Sequence, residues 1–288
     1  MGAYRTARVF LTAVALALPA VLLGCVGNET EAPTAALRVT VSILPQRYFV
    51  ERVGGEHVAV NVMVLPGESP ATYEPSPDQL RALSDADLYL SIGVPFENAW
   101  LDRIASANDE MVVVDTAEGI ERIEEGGNPD PHIWLSPSLV RIQAVTIAEA
   151  LRSADPAHAE AYEANLESFL EDIDELDAEI RETLAGVEER RFMVFHPSWR
   201  YFAEDYGLEM IAIEVGGQEP SAAELARLMS TAKEEGIEVI FAQPEFSTEA
   251  AETIAAEIGG EVLLISPLAE DWLNNLRRVA STFAEHLG

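Results

Sequence analysis

Cysteine is almost missing from this chain. Cys25 is the only one in 288 residues, so no intramolecular disulfide can form and a cysteine-built metal site is excluded. Basic residues are scarce as well: 18 Lys and Arg stand against 50 Asp and Glu, a formal net charge of −32. A surface of that sign repels phosphate backbones and anionic membranes, which argues against nucleic acid as a partner. The excess acid reads first as a solvated surface suited to a salty habitat, with attraction of cations a secondary benefit. Long apolar runs are missing apart from Phe10–Leu23, which is too short for a confident membrane span. There is no G-x-S-x-G elbow, no Gly-rich phosphate loop and no H-E-x-x-H helix. Ser198 lies near His196, but nothing marks an orienting acid or an oxyanion hole, and an enzyme is the least supported reading.

What remains is ordinary globular material, 48% hydrophobic and 24% charged. Residues 1–24 read as an export leader: Arg5 and Arg8 form a positive start, followed by the apolar stretch. Leu22-Leu23-Gly24-Cys25 resembles the lipobox of bacterial lipoproteins, which implies that Cys25 is lipidated and becomes the first residue of the exported protein. The rival is an uncleaved anchor helix with an incidental cysteine. Residues 25–36 are small and polar, a flexible tether.

From Leu37 the pattern alternates strand and helix. Leu37–Ile43, Val58–Leu65, Ala86–Ile92 and Met111–Val114 are strand candidates in the first half. Arg191–Phe195, Leu208–Val215, Ile237–Ala242 and Glu261–Ile265 are their counterparts in the second. Helix starts are explicit: Ser76 with Pro77 and Gln79, Ser136 with Pro137, Ser221 with Glu224. Between the halves, Tyr162, Leu166, Phe169, Ile173, Leu176 and Ile180 recur at spacings of four and three. That stripe predicts one helix over Pro156–Ala185, ~45 Å long at ~1.5 Å per residue. It serves either as a brace between two lobes or as a coiled-coil stem. The expected fold is α/β: two (βα)4-type lobes with parallel sheets, residues 37–137 and 188–288, joined through linking helices 138–187 that include one long rigid helix.

In open α/β sheets ligands bind beyond the carboxyl ends of the strands. The loops there offer Ala71–Glu74, His132, His196, Gln243-Pro244-Glu245 and Ser266-Pro267-Leu268. Two imidazoles and a carboxylate from such loops suit a divalent transition metal, so His132, His196 and Glu245 are the candidate ligands. Trp134, Trp199 and Trp272 read as packing anchors, given their apolar neighbours.

Several stretches carry a specific resemblance: PGESPATYEPSPDQL, DPHIWLSP, FHPSWRYFAEDYGL, IEVGGQEPSAAEL, FAQPEFS and PLAEDWLNNL. Over Leu37–Leu287 the chain resembles the zinc- or manganese-specific solute-binding lipoproteins of ABC importers. The resemblance implies an extracytoplasmic, lipid-anchored monomer that binds one divalent ion between two lobes. It implies delivery to a membrane permease with its ATPase subunit. It also places His132 and His196 on the metal, and it marks two departures. A histidine of the family pattern is replaced by Ala71, and an aspartate before Pro-Leu by Ser266. The histidine-rich insertion of zinc-specific members is replaced by the short acidic Glu118–Asp130. Half the usual ligand set is thereby lost unless Glu245, Glu214 or water fills in. The rival readings are an adhesin or other interaction protein built on a decayed site, and a receptor for a metal chelate or small organic ligand.

Overall fold

The computed structural model describes residues 36–287 except 126 and 215–217, and leaves out the side chain of residue 125. The export leader and the lipidation cysteine Cys25 lie outside the described residues. No helix among the described residues is long and apolar enough to cross a membrane.

Each half builds a four-stranded parallel sheet. The first holds β1 (Leu37–Val41), β2 (Val58–Val62), β3 (Leu88–Ser91) and β4 (Val112–Asp115), in the order β2-β1-β3-β4. Its connections are α1 (Leu44–Gly54), α2 (Pro77–Ala82) and α3 (Pro95–Ala105). After β4 a short hairpin, β5 (Glu124–Glu125) with β6 (Asn128–Pro129), leads through a 3-10 turn (Ile133–Leu135) into α4 (Pro137–Ala154). Beyond the long helix α5 (Ala159–Leu184), the second half holds β7 (Arg191–Val194), α6 (Arg200–Tyr206), β8 (Glu209–Ala212), α7 (Ala222–Glu234), β9 (Val239–Ala242), α8 (Glu249–Ile258), β10 (Glu261–Leu264) and α9 (Trp272–His286). Its strand order is β10-β9-β7-β8, which is the order of the first sheet repeated. All eight strands expected from apolar runs are present: β4 is shifted by one residue, to Val112–Asp115, and the others are trimmed by one to four residues where the chain leaves the ladder.

The helix starts follow local chemistry. Ser76 Oγ accepts the Gln79 amide at 3.3 Å while Gln79 Oε1 accepts the Ser76 amide at 3.0 Å. Ser221 and Glu224 exchange the same pair of bonds at 3.4 and 2.8 Å. Ser136 caps α4 by accepting the Leu139 amide at 3.2 Å. Each cap satisfies a donor that would otherwise be orphaned in the first turn, worth ~1 kcal/mol.

The heptad stripe buries what it was expected to bury. Tyr162, Leu166, Phe169, Ile173, Leu176 and Ile180, with Leu184 beyond them, are the buried residues of α5. Transfer of each such side chain from water contributes ~1.5–3 kcal/mol before entropic costs, so this face holds an otherwise acidic helix in place. The expectation of one uninterrupted α-helix from Pro156 needs a correction at its start. Pro156–His158 is a tighter 3-10 turn, and the α-helix begins at Ala159. Asp155 causes the tightening: its Oδ2 accepts from His158 Nδ1 at 2.6 Å and from the Tyr162 hydroxyl at 2.8 Å. The helix is a brace packed against α1, α4 and α9 rather than a stem.

One apolar core runs through the first lobe, the brace and the near side of the second sheet. It joins Phe49, Phe169 and Trp272 to Phe192, Phe241 and Phe283. A separate, smaller core fills the far side of the second sheet, under α7 and α8.

Candidate metal centre

His132 is fixed from below. Asp130, whose side chain is fully buried, accepts both the His132 amide at 2.9 Å and its Nδ1 at 2.7 Å through one oxygen. A carboxylate can only accept, so Nδ1 carries the hydrogen and Nε2 presents a lone pair. Trp134, two residues on, lies against the ring with centroids 5.2 Å apart.

His196 is held in the same manner from the other lobe. Its Nδ1 pairs with Glu214 Oε2 at 2.6 Å, which again leaves Nε2 as the acceptor. Gln243 clamps the backbone of the same residue, accepting from its amide at 3.1 Å and donating to its carbonyl at 2.8 Å. Phe246 stacks on the ring at 4.6 Å, 22° from parallel.

The two Nε2 atoms face each other at 3.3 Å across the junction of the lobes. Two lone pairs so placed repel unless a proton or a metal cation lies between them. Two nitrogens on one tetrahedral zinc, with bonds of ~2.0–2.1 Å, stand ~3.3–3.4 Å apart. Carboxylates behind ligating imidazoles are the supporting arrangement such sites use to fix ring orientation and basicity. Both side chains keep some exposure, 13% and 17%, so an ion can reach them from solvent.

The junction is bolted by bonds between lobes. Trp134 Nε1 donates to the Pro267 carbonyl at 2.7 Å, and Trp272 Nε1 donates to the Trp134 carbonyl at 2.6 Å. The Tyr201 hydroxyl donates to the Asp130 carbonyl at 2.9 Å and accepts the Ile123 amide at 3.0 Å. Two of the three tryptophans read as packing anchors thus also tie the lobes together. All three are fully buried.

Glu245 lies within electrostatic reach of His196. Its Oε1 accepts from Ser266 Oγ at 3.3 Å, while Oε2 is buried without a hydrogen-bond partner. Burial pushes its carboxyl above the usual glutamate range. Together with Ser266, Pro244 and Leu268 it faces Ile43, Leu44 and Val64 of the first lobe around a cavity of about 300 Å³. Ser266 thus lines this cavity beside Glu245, while neither His132 nor His196 does. Ala71 is exposed in the loop after β2, and the residues around that cavity do not include it. Among the described residues, no three His, Cys, Asp or Glu groups converge closely enough to hold a metal. Ser198 accepts from Gln243 Nε2 at 3.2 Å, and the Nδ1 of His196 is taken by Glu214, so no serine–imidazole couple forms there.

Residues 39–286 match the family described as zinc-uptake complex component A, periplasmic. The chain belongs to that family. Its members are metal-binding transport components of ABC importers, extracytoplasmic rather than enzymatic. A crystal structure of ZnuA superposes with a TM-score of 0.86 at 49% identity, over 88% of this chain and 100% of that one. A putative metal-binding protein of Chlamydia muridarum (strain MoPn / Nigg) is 30% identical over 88% of this chain and 93% of its own length. The manganese-binding lipoprotein MntA of Halalkalibacterium halodurans is 28% identical over 97% and 99%. The chain thus sits among zinc and manganese binders.

Sequence reading found both imidazoles but not all of their supports. Asp130 lies inside the quoted Asp-Pro-His motif, where its spacing of two from His132 was a usable signal. Glu214 was weighed as a substitute ligand and instead holds an imidazole. Phe246 was not singled out, and nothing in the sequence distinguishes it from a core residue.

Proposed function

We propose that this chain captures zinc, or manganese, outside the cytoplasmic membrane and delivers it to the permease and ATPase subunits of an ABC importer. It acts as a monomer tethered through lipid on Cys25. The ion is held by Nε2 of His132 and Nε2 of His196, with Asp130 and Glu214 holding the rings and Glu245, with its buried carboxylate oxygen, the group that would swing in to complete the shell. The observation that carries this reading is the pair of Nε2 atoms 3.3 Å apart, each backed by a carboxylate on its Nδ1. Nitrogen ligands in a tetrahedral bite favour zinc over manganese. Ala71 offers no donor and the Ser266 hydroxyl is a neutral one, so the site is weaker than one with four charged or imidazole ligands. No covalent chemistry is involved.

A second reading has one observation in its favour. The cavity beside Glu245 is roomy and mostly apolar, and it borders a buried carboxylate oxygen without a partner. A small chelate carrying the metal would use that space.

Calorimetry on chelator-stripped protein decides between these. Zinc is expected to bind at a tightest site in the micromolar range and to lose that site in His132→Ala. Binding that needs an added small carboxylate or amine chelator supports the second reading. A wild type with no saturable zinc or manganese binding under either condition sinks both.

A further inference from the structure

The chain has five histidines, and four of them form two close pairs. The second pair is far from the first in the fold. His57 closes the 3-10 turn Gly55–His57 just before β2, and His158 sits at the entry of α5. Residues before a strand of a parallel sheet lie at its amino-terminal edge, the end away from the loops that carry His132 and His196. The rings of His57 and His158 are stacked, with centroids 3.9 Å apart and planes 16° from parallel. His158 Nδ1 is held by Asp155 Oδ2 at 2.6 Å, and the same oxygen accepts from the Tyr162 hydroxyl at 2.8 Å. That repeats the device of the lobe junction: a carboxylate fixes Nδ1 and turns Nε2 into a lone-pair donor.

We infer that His57 and His158, with Asp155 holding the second ring, form a separate surface site for a divalent transition-metal ion. Two nitrogens bound cis to one such ion at ~2.0–2.1 Å lie ~2.9–3.4 Å apart. The rings are stacked with centroids 3.9 Å apart, so His57 must turn out of the stack before its in-plane lone pair can meet that of His158 on one ion. His57 has no hydrogen bond to its ring nitrogens among the described residues, so its rotation breaks none. Both rings are half-buried rather than enclosed, and the His158 side chain is 23% exposed, so the ion has access. The bland alternative is an aromatic stack that packs the first lobe on the brace. It explains the stacking, and the turn at Pro156–His158 accounts for the bond from Asp155 to Nδ1; what it leaves over, among the described residues, is an imidazole pair with both Nε2 atoms available. With two protein ligands, the remaining positions fall to water and the affinity is modest. An ion there would also cross-link the turn before β2 to α5.

The test uses the full-length His132→Ala/His196→Ala protein, which removes the lobe-junction pair. It is titrated with Zn²⁺ and with Cu²⁺ in about 0.5 M NaCl and excess Mg²⁺, which screens and occupies the acidic surface. The expected result is one residual equivalent in the micromolar range, with a Cu²⁺ EPR spectrum showing two nitrogen ligands and a melting temperature raised by the metal. Adding His57→Phe keeps a flat ring against His158 but removes the nitrogens. It should weaken binding at least about tenfold and reduce the EPR coupling to one nitrogen. Asp155→Asn should weaken binding about 10-fold or more without removing a ligand. The inference is overturned by the absence of saturable binding, by binding that Mg²⁺ abolishes, or by binding indifferent to His57→Phe. None of these outcomes depends on whether the lobe-junction pair binds metal.

Discussion

In both sheets the first strand lies inside the ladder, between the second and third, and ends in a loop tied down by a buried glutamine. After β1, Gln46 accepts the Ser42 amide at 3.0 Å and donates to the Leu90 carbonyl at 3.1 Å. After β7, Gln243 accepts the His196 amide and donates back to the carbonyl of the same residue. The side chains so presented differ. Ser42 turns inward, sharing hydrogen bonds with the Tyr89 hydroxyl at 2.7 Å and with Glu97, a buried carboxyl that desolvation holds above its usual range. His196 turns out to the lobe junction. The first lobe supplies its imidazole from the loop after its fourth strand instead. Repetition of topology therefore did not repeat chemistry: one lobe closed its first loop into its own interior, and the other turned an imidazole from that loop toward the lobe junction. The cores differ in parallel. The first lobe shares its core with the brace, while the second keeps part of its core to itself.

The largest expected effect tests the shared core. Phe169 is fully buried on α5, its ring 6.0–6.5 Å from Phe49, Tyr48 and Trp272. Phe169→Ala should cost ~3–5 kcal/mol, and amide hydrogen exchange should accelerate in both sheets together. Ile254→Ala, in the second lobe's private core, should cost ~2–4 kcal/mol, with the acceleration confined to β9, β10 and α8. Acceleration of one sheet alone in Phe169→Ala would show that the lobes fold independently.

Next comes the ligand asymmetry. Ser266→Asp with Ala71→His should tighten zinc about a hundredfold, ~2.8 kcal/mol, measured by competition with a chromophoric chelator. Because Ser266 borders the cavity and Ala71 does not, Ser266→Asp should carry most of the gain. Equal affinity in the double variant and the wild type would mean that the junction has been reshaped for another ligand. The two imidazole supports give a smaller contrast: Asp130→Asn and Glu214→Gln should each weaken zinc ~10–100-fold. Asp130 is fully buried and also holds the His132 amide, so its change should be the more damaging. The smallest effect is electrostatic. Screening of a chain at −32 should raise the melting temperature between low and molar salt by ~2–4 °C for each kcal/mol gained. A flat response would remove the high-salt reading of the acidic surface.

Much of the architecture was legible because it is written locally. Apolar runs gave the eight strands, Ser-Pro and Ser-x-x-Glu starts gave the caps, and one face of α5 gave the brace. The 3-10 turn at Pro156–His158 was not legible, since it depends on which way the Asp155 carboxylate points. Of the site, His132 and His196 were visible through position after strand ends and through motif resemblance. The partnership of His196 with Glu214 spans a strand-to-strand crossing, and no periodicity records it. Glu245 was chosen for its place after β9; its bond to Ser266 and its buried free oxygen follow from side-chain rotation, which sequence does not encode.

The core that runs unbroken through α5 has a kinetic meaning. Two lobes that share one interior have little freedom to swing, so on the proposed reading an ion would meet jaws already set near their working gap. Little binding energy is then diverted into aligning large bodies, and capture proceeds at nearly the rate of encounter. Release must be equally local. On that reading, freeing the ion would take turning an imidazole or sliding Phe246 from the His196 ring it stacks on, so a receiving membrane protein would need to work on individual loops rather than pry the halves apart.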